Sequence, residues 1–168
     1  MKKLTIIRHA KAVEAAPALT DFERPLTKRG LKDAERIGKL LAELTPTVDW
    51  LLSSPALRTR ETTNTLVESL GYTGRVQWAD SAYLAEADIW LNLLSHIPPE
   101  VEHVTIVGHN PGVADLVAGL AAGTAPRLNL AFPTAALAHL ELEIFWWNQI
   151  RWGCGQLQLL LTPRALRK

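Results

Sequence analysis

Three short apolar runs of this sequence each end in a cation or an imidazole. Arg8, His9, Ala10 and Lys11 follow Leu4-Thr5-Ile6-Ile7. Ser53, Ser54 and Pro55, with Arg58 soon after, follow Trp50-Leu51-Leu52, and Gly108, His109, Asn110 and Pro111 follow Thr105-Ile106-Val107. Two histidines and two arginines gathered at one place make a poor apolar core and a good pocket for a small dianion. Arginine offers a rigid, permanently charged fork matched to phosphate oxygens. Histidine can serve as a nucleophile, or as a donor to charge that grows in a transition state. Each residue alone has a plainer reading. A strand-end histidine is more often structural, Arg8 can snorkel from a strand end, and Arg58 and Arg60 can belong to a solvated helix face. Repetition at successive strand ends favours a site. A metal is not expected: His9, His96, His103 and His109 show no His-x-x-x-His or carboxylate-bracketed spacing, and the adjacent cations would repel one. No cofactor is expected either.

The elements that must carry these residues can be read from the apolar pattern. Residues 4–7, 48–52 and 103–107 are short, apolar runs rich in β-branched residues, as buried strands are, with a weaker run at 75–78. Between them lie helical periodicities. Residues 28–44 place Leu31, Ala34, Ile37, Leu41 and Leu44 at three- and four-residue steps, with Thr27 as N-cap. Further helices are expected over 57–70, 88–97 and 112–122, the third of these stopped by Pro98-Pro99. This alternation predicts a three-layer α/β fold, a mostly parallel central sheet with helices on both faces. Ligands bind beyond the carboxyl ends of the strands in such sheets. Residues 135–144 and 156–161 read instead as an antiparallel pair near the C-terminal end, joined through Trp146-Trp147-Asn148 to Gly155. The adjacent tryptophans are expected to face opposite ways, one of them outward.

Composition narrows the function. The chain has 168 residues, 48% hydrophobic and 21% charged, with 18 Lys+Arg against 17 Asp+Glu, a net charge of +1. That is a globular composition, expected to form one domain over residues 1–168 without a large cap insertion. The charge balance argues against a dedicated nucleic-acid or membrane-surface binder. Cys154 is the only cysteine, so no internal disulfide can form. Arg8 and His9 interrupt the apolar start too early for a signal peptide, and no stretch approaches the roughly 20 apolar residues of a membrane span. A cytoplasmic monomer is the expectation.

Longer motifs run nearly end to end. They are Leu4 to Lys11; Asp21-Phe22-Glu23-Arg24-Pro25-Leu26-Thr27-Lys28-Arg29-Gly30; Ser53-Ser54-Pro55-Ala56-Leu57-Arg58-Thr59-Arg60-Glu61-Thr62; Val107-Gly108-His109-Asn110-Pro111; Phe132-Pro133-Thr134-Ala135; and Leu161-Thr162-Pro163-Arg164. In order and spacing the set resembles the histidine phosphatase (phosphoglycerate-mutase-like) superfamily. Arg24-Pro25-Leu26-Thr27 is similar to its SixA-type phosphohistidine phosphatase branch, which also carries alanine where many relatives have glycine, here Ala10.

The resemblance implies that His9 is a transiently phosphorylated nucleophile and that Arg8, Arg58 and His109 grip the phosphoryl oxygens. It also points to a general acid after the third strand, Glu86, with Asp88 and Glu14 as rivals; Glu86 or Asp88 can equally cap the next helix. Arg24 is expected to line the substrate entrance or to brace Asp21, and Thr134 to help bind phosphate or simply to open a strand. Lys11 would add positive potential. His9 must attack as neutral imidazole, a form that Arg8 and Arg58 would favour. Its other ring nitrogen is expected to donate to a backbone carbonyl. Gly108 would allow close backbone approach before His109, and Gly112 would open a helix near an anion site.

The SixA branch implies phosphohistidine on a partner protein, such as a phosphotransfer domain, as substrate, and a role in signal transduction. Only about fifty residues separate Arg58 from His109, too few for a long cap, and an open pocket admits a protein-borne side chain. Two other readings stay open. A broad phosphomonoesterase on small molecules would need Glu86 as acid to protonate an alkoxide. A non-catalytic phosphohistidine- or phosphate-binding adaptor would keep the pocket without turnover. A mutase, which must hold its intermediate under a lid, fits least.

Overall fold

The computed structural model describes residues 1–44, 47–123 and 128–166. Its six strands are β1 (Lys2–Arg8), β2 (Trp50–Ser53), β3 (Val76–Trp78), β4 (His103–Gly108), β5 (Leu137–Leu142) and β6 (Gly155–Leu161). They form one sheet in the order β3-β2-β4-β1-β5-β6. β1, β2, β3 and β4 run parallel, whereas β5 is antiparallel to β1 and β6 antiparallel to β5. The fold is thus the expected phosphoglycerate-mutase-like α/β arrangement, with the antiparallel pair closing one edge.

Register decides where the chemistry emerges. Arg8 lies beside Gly108, and Ser53 beside Val107, so β1, β2 and β4 end level. The ladder continues one step, with His9 N–H donating to the Gly108 carbonyl (3.0 Å) and Ser54 N–H to that of Val107 (3.1 Å). His9, Ser54 and His109 therefore leave the sheet at one edge.

Both faces are covered. Leu4, Ile6, Leu52, Val104 and Ile106 pack with Trp90 and Leu94 of α3 (Ala87–Ser95) and with Leu116, Val117 and Leu120 of α4 (Gly112–Ala122). Ile7, Val107 and Leu137 point the other way, against Ala34, Ile37 and Leu41 of α1 (Lys28–Leu44) and Leu66 of α2 (Leu57–Leu70). Alternation along β1 and β4 is what feeds both layers, because successive side chains face opposite sides of a strand. Each large aliphatic group buried this way contributes about 1.5–3 kcal/mol.

Helix boundaries follow local chemistry. Thr27 Oγ1 accepts the Gly30 N–H (3.0 Å), the expected N-cap of α1. Leu31 and Leu44 depart from the expected apolar face: they are 44% and 50% exposed, Leu31 because it lies to the side of the face that buries Gly30, Ala34, Ile37 and Leu41, and Leu44 because it is the last residue of the helix. α2 ends at Gly71, whose φ of 59° is the left-handed cap conformation. β5 begins at Leu137 rather than at 135, because Ala135 adopts a φ of 57° and turns its N–H onto the carbonyls of Arg8 (3.1 Å) and His9 (3.0 Å). Trp147 is 1% exposed and donates from its indole nitrogen to the Val101 carbonyl (2.8 Å), while Trp146 is 53% exposed. Their opposite fates were expected, but they sit in a 3-10 turn (Trp147–Gln149) rather than on a continuing strand. Among the described residues, no helix is long and apolar enough to cross a membrane.

Candidate active site

His9 is held by the backbone of its own neighbour. Its Nδ1 lies 2.7 Å from the Ala10 carbonyl oxygen, which can only accept, so we assign the ring proton to Nδ1 and a free lone pair to Nε2. The Ala10 peptide is fixed in turn: its N–H donates to Thr62 Oγ1 (3.0 Å), and Thr62 donates to the Arg58 carbonyl (2.7 Å) one helical turn back. Arg58 Nε approaches His9 Nε2 at 3.3 Å. The His9 pKa falls from 6.5 to about 4, mainly through burial; the bond to Ala10 opposes this, and Arg58, Arg8 and Arg24 add to it. The arginines named in the sequence reading are therefore contributors, and desolvation is the larger cause.

His109 comes from the end of β4 and stacks obliquely on His9, with ring centroids 5.2 Å apart at 57°. Its Nε2 lies 2.7 Å from Ser54 Oγ, and burial followed by the Arg58 charge takes its pKa to about 3. Its Nδ1 is buried without a partner among the described residues, as is Arg8 Nε. Arg8 is anchored by Nη1 to the Phe132 carbonyl (3.1 Å), an oxygen that also accepts from Asn110 Nδ2 (2.8 Å). One carbonyl thus ties together the ends of β1 and β4. Two buried polar nitrogens without partners among the described residues suit the oxygens of an anion.

Arg58, on the first turn of α2, is buried and engaged by Asp21. Nη1 donates to the Asp21 carbonyl (2.6 Å) and Nη2 to Asp21 Oδ2 (3.0 Å). The same carboxylate accepts from Tyr83 (2.5 Å) and from Arg24 Nη1 (2.8 Å). Hydrogen bonding by Tyr83 first, then by Arg58 and Arg24, outweighs desolvation and holds the Asp21 carboxyl at about 2. Tyr83 packs edge-on to His109, centroids 5.6 Å apart, and Phe22 edge-on to Tyr83 at 5.1 Å.

The structure brings Arg8, His9, Arg58 and His109 together, with Arg24 behind them on Asp21. Arg24 braces: its Nε donates to the Val13 carbonyl (2.9 Å) and its Nη1 holds Asp21. Thr134 lies in the turn before Ala135, beside the end of β1, and no hydrogen bond of its hydroxyl occurs among the described residues. Glu86 is exposed at the N-cap of α3 without capping it, and it lines a groove of about 340 Å³ with Asp88, Pro111, Asp115 and Trp152. No hydrogen bond among the described residues links its carboxylate to the four pocket residues. Glu14 and Lys11 are exposed. Gly112 opens α4 as expected, and it has a packing reason: a Cβ there would sit 1.8 Å from the Ala85 carbonyl oxygen. No group of three or more His, Cys, Asp or Glu among the described residues could hold a metal ion.

Sequence reasoning missed Ser54, Thr62 and Tyr83, and the reach of Asp21 to Arg58. Thr62 was within reach, since it stands four residues after Arg58 on one helix face. Asp21 and Arg58 are 37 residues apart, and Tyr83 a further 25, with no periodicity to join them.

The model of the histidine phosphatase superfamily (branch 1) matches residues 4–90. A functionally uncharacterised protein of Mycobacterium tuberculosis is 30% identical over 165 residues, spanning 94% of this chain and 100% of its own length. A crystal structure from Agrobacterium tumefaciens that carries the name phosphohistidine phosphatase SixA is 32% identical, covers 96% of this chain and 98% of its own, and superposes with a TM-score of 0.79. A SixA protein histidine phosphatase complexed with tungstate, 24% identical, shares the fold at a TM-score of 0.82 over 98% of this chain and 99% of its own. Matched over half its length by the family model and over nearly all of it by these relatives, the chain belongs to the histidine phosphatase superfamily, branch 1, and is of the SixA type.

Proposed function

We propose that the protein is a metal-independent phosphohistidine phosphatase that removes the phosphoryl group from a histidine on a partner protein, such as a phosphotransfer domain, by way of phosphorylated His9. The observation that carries this is the 2.7 Å bond from His9 Nδ1 to the Ala10 carbonyl, which leaves Nε2 unprotonated. The Nε2 lone pair forms a bond to phosphorus as the P–N bond of the substrate breaks. A substrate ring protonated at its free nitrogen departs as neutral imidazole. Charge on the equatorial oxygens falls among Arg8, Arg58 and His109 Nδ1. Water then bonds to phosphorus, the electron pair of the P–Nε2 bond returns to Nε2, and the water proton ends on orthophosphate. His9 keeps its Nδ1 proton throughout, so it too leaves as neutral imidazole.

The pocket's protonation states favour a phosphoramidate over a phosphomonoester. An alkoxide leaving group needs an acid. Asp21 is held ionised, His9 and His109 are held neutral, and the Tyr83 hydroxyl already donates its proton to Asp21 Oδ2 (2.5 Å). Glu86 stands outside the hydrogen-bonded set. The rim fits a protein-borne substrate: Phe22 packs on Tyr83 yet is 41% exposed, and Leu84, next to Tyr83, is 54% exposed.

The test compares wild type with His9→Ala on a phosphohistidine peptide and on a phosphoserine peptide, whose alkoxide leaving group needs an acid. We expect turnover of the phosphohistidine peptide, lost in His9→Ala, with poor ester hydrolysis and acid-labile, alkali-stable phosphate on His9 under turnover. Equal rates on both substrates would favour a broad phosphomonoesterase, and no difference between wild type and variant would leave only a binding module.

A further inference from the structure

Asp21 takes no part in the steps above, yet it meets the reacting groups from behind. Its Oδ2 accepts from Arg58 Nη2 (3.0 Å) and Tyr83 (2.5 Å), its Oδ1 from Arg24 Nη1 (2.8 Å), and its backbone carbonyl from Arg58 Nη1 (2.6 Å). The remaining edge of Arg58 presents Nε–H to His9 Nε2 at 3.3 Å. We propose that Asp21 is a positioning and charge-setting residue of the phosphoryl pocket. It aims Arg58 at the reacting nitrogen, and its negative charge limits how tightly the pocket holds an oxyanion, so that orthophosphate is released. The proposal rests on the phosphohistidine-phosphatase reading above.

The geometry gives Arg58 two duties in sequence. Before transfer its Nε–H meets the His9 lone pair. Once phosphorus occupies that lone pair, an equatorial oxygen must take the donor over. A guanidinium free to rotate would follow the phosphoryl group or drift from it; one fixed at Nη1 and Nη2 keeps Nε–H beside Nε2, where an equatorial oxygen arrives with the phosphorus. A fork bonded on two of its nitrogens is the arrangement that removes this freedom.

Charge supplies the second part. Arg8, Arg24 and Arg58 are cations, while His9 and His109 are held neutral, so the Asp21 carboxylate leaves the pocket two positive charges, a match for a phosphoryl dianion. Without that carboxylate there would be three, and product would be over-held. Tyr83 and Arg24 keep the carboxylate on the far edge of Arg58.

The test measures orthophosphate affinity by calorimetry, and kcat and KM on a phosphohistidine peptide, for wild type and Asp21→Asn, with thermal melts to confirm folding. An amide cannot present acceptors to both Arg24 and Arg58, so kcat should fall about tenfold or more. Removing the charge should tighten orthophosphate binding about three- to tenfold. Asp21→Glu keeps the charge on a longer arm and should lose turnover without that gain in affinity, which decides the matter should Asp21→Asn not fold. A scaffolding role alone would weaken turnover and binding together, and that result, or tighter phosphate binding in Asp21→Glu, or no change in Asp21→Asn, would overturn the proposal. Should wild type prove inactive on phosphohistidine, the reading above fails, and the binding measurements still decide whether Asp21 sets the pocket's charge.

Discussion

Arg58 Nε lies 3.3 Å from His9 Nε2, on the nitrogen that must attack phosphorus. The other two nitrogens of the guanidinium are tied to Asp21, so the three donors of one side chain have three separate destinations. A lysine at this position carries the same charge but has no fork to divide. Arg58→Lys should therefore lose about a hundredfold to a thousandfold in kcat, close to the loss in Arg58→Ala. Steady-state kinetics on a phosphohistidine peptide check this, and a lysine variant within about fivefold of wild type would show that charge alone suffices.

Glu86 separates the phosphohistidine reading from the phosphomonoesterase reading. Glu86 is exposed at the start of α3 and lines a groove with Asp88, Asp115 and Trp152, and no hydrogen bond among the described residues ties its carboxylate to the pocket. Glu86→Gln should leave kcat on a phosphohistidine peptide within about twofold, because a departing neutral imidazole needs no acid. A drop of tenfold or more in that assay would make Glu86 the acid and return the ester reading to first place.

The sequence carried the sheet-edge convergence well and the pocket's bracing poorly. Arg8, His9, Arg58 and His109 were legible because each follows an apolar strand, and strand ends in a parallel sheet share an edge. The bounds of α1, α2 and α4 came out as read, since caps and apolar spacing act locally. The sheet also brings distant residues into contact without periodicity: Asp21 meets Arg58 and Tyr83, and Ser54 meets His109. Leu31 and Leu44 misled because amphipathic spacing marks a stripe without its edges: the buried face runs through Gly30, Ala34, Ile37 and Leu41 and leaves Leu31 at its side and Leu44 at its end. Burial as the main cause of the low His9 pKa was likewise not legible, since it depends on what packs over the ring.

Gly112 is where α4 crosses the loop before α3. A Cβ at this position would stand 1.8 Å from the Ala85 carbonyl oxygen and 3.3 Å from Glu86 Cα, backbone atoms that cannot swing aside. Gly112→Ala should cost about 1–3 kcal/mol and move the His109 turn three residues away, lowering kcat as well. Gly71→Ala is the contrast: nothing lies within 4 Å of its Cβ, and only the φ of 59° resists. It should cost about 1 kcal/mol and leave kinetics unchanged. Urea denaturation with parallel kinetics measures both, and Gly112→Ala with wild-type stability would refute the crossing argument.

Acid should unfold this protein before it silences the nucleophile. His9, His103 and His109 sit at about 4, 4 and 3 in the folded chain, in each case chiefly through burial, against an ordinary value of 6.5. Between pH 6.5 and 4 the unfolded chain therefore binds protons that the folded chain refuses, and stability falls as pH falls, by up to about 1.4 kcal/mol per pH unit for each histidine. Below about 4 the contribution of His9 and His103 levels off. His103 lies away from the pocket, bonded to Thr5 (2.8 Å) and the Thr47 carbonyl (2.7 Å), with His139 and Lys3 lowering its pKa and Asp49 raising it. Melting curves at pH 7, 6 and 5 should show a steady fall in Tm, shallower in His103→Gln than in wild type. Activity measured at low temperature, where the fold persists, should survive to pH 5 because His9 is still neutral there. A Tm independent of pH over this range would mean that these histidines titrate alike in the folded and unfolded chain, and the neutral nucleophile would lose its physical basis.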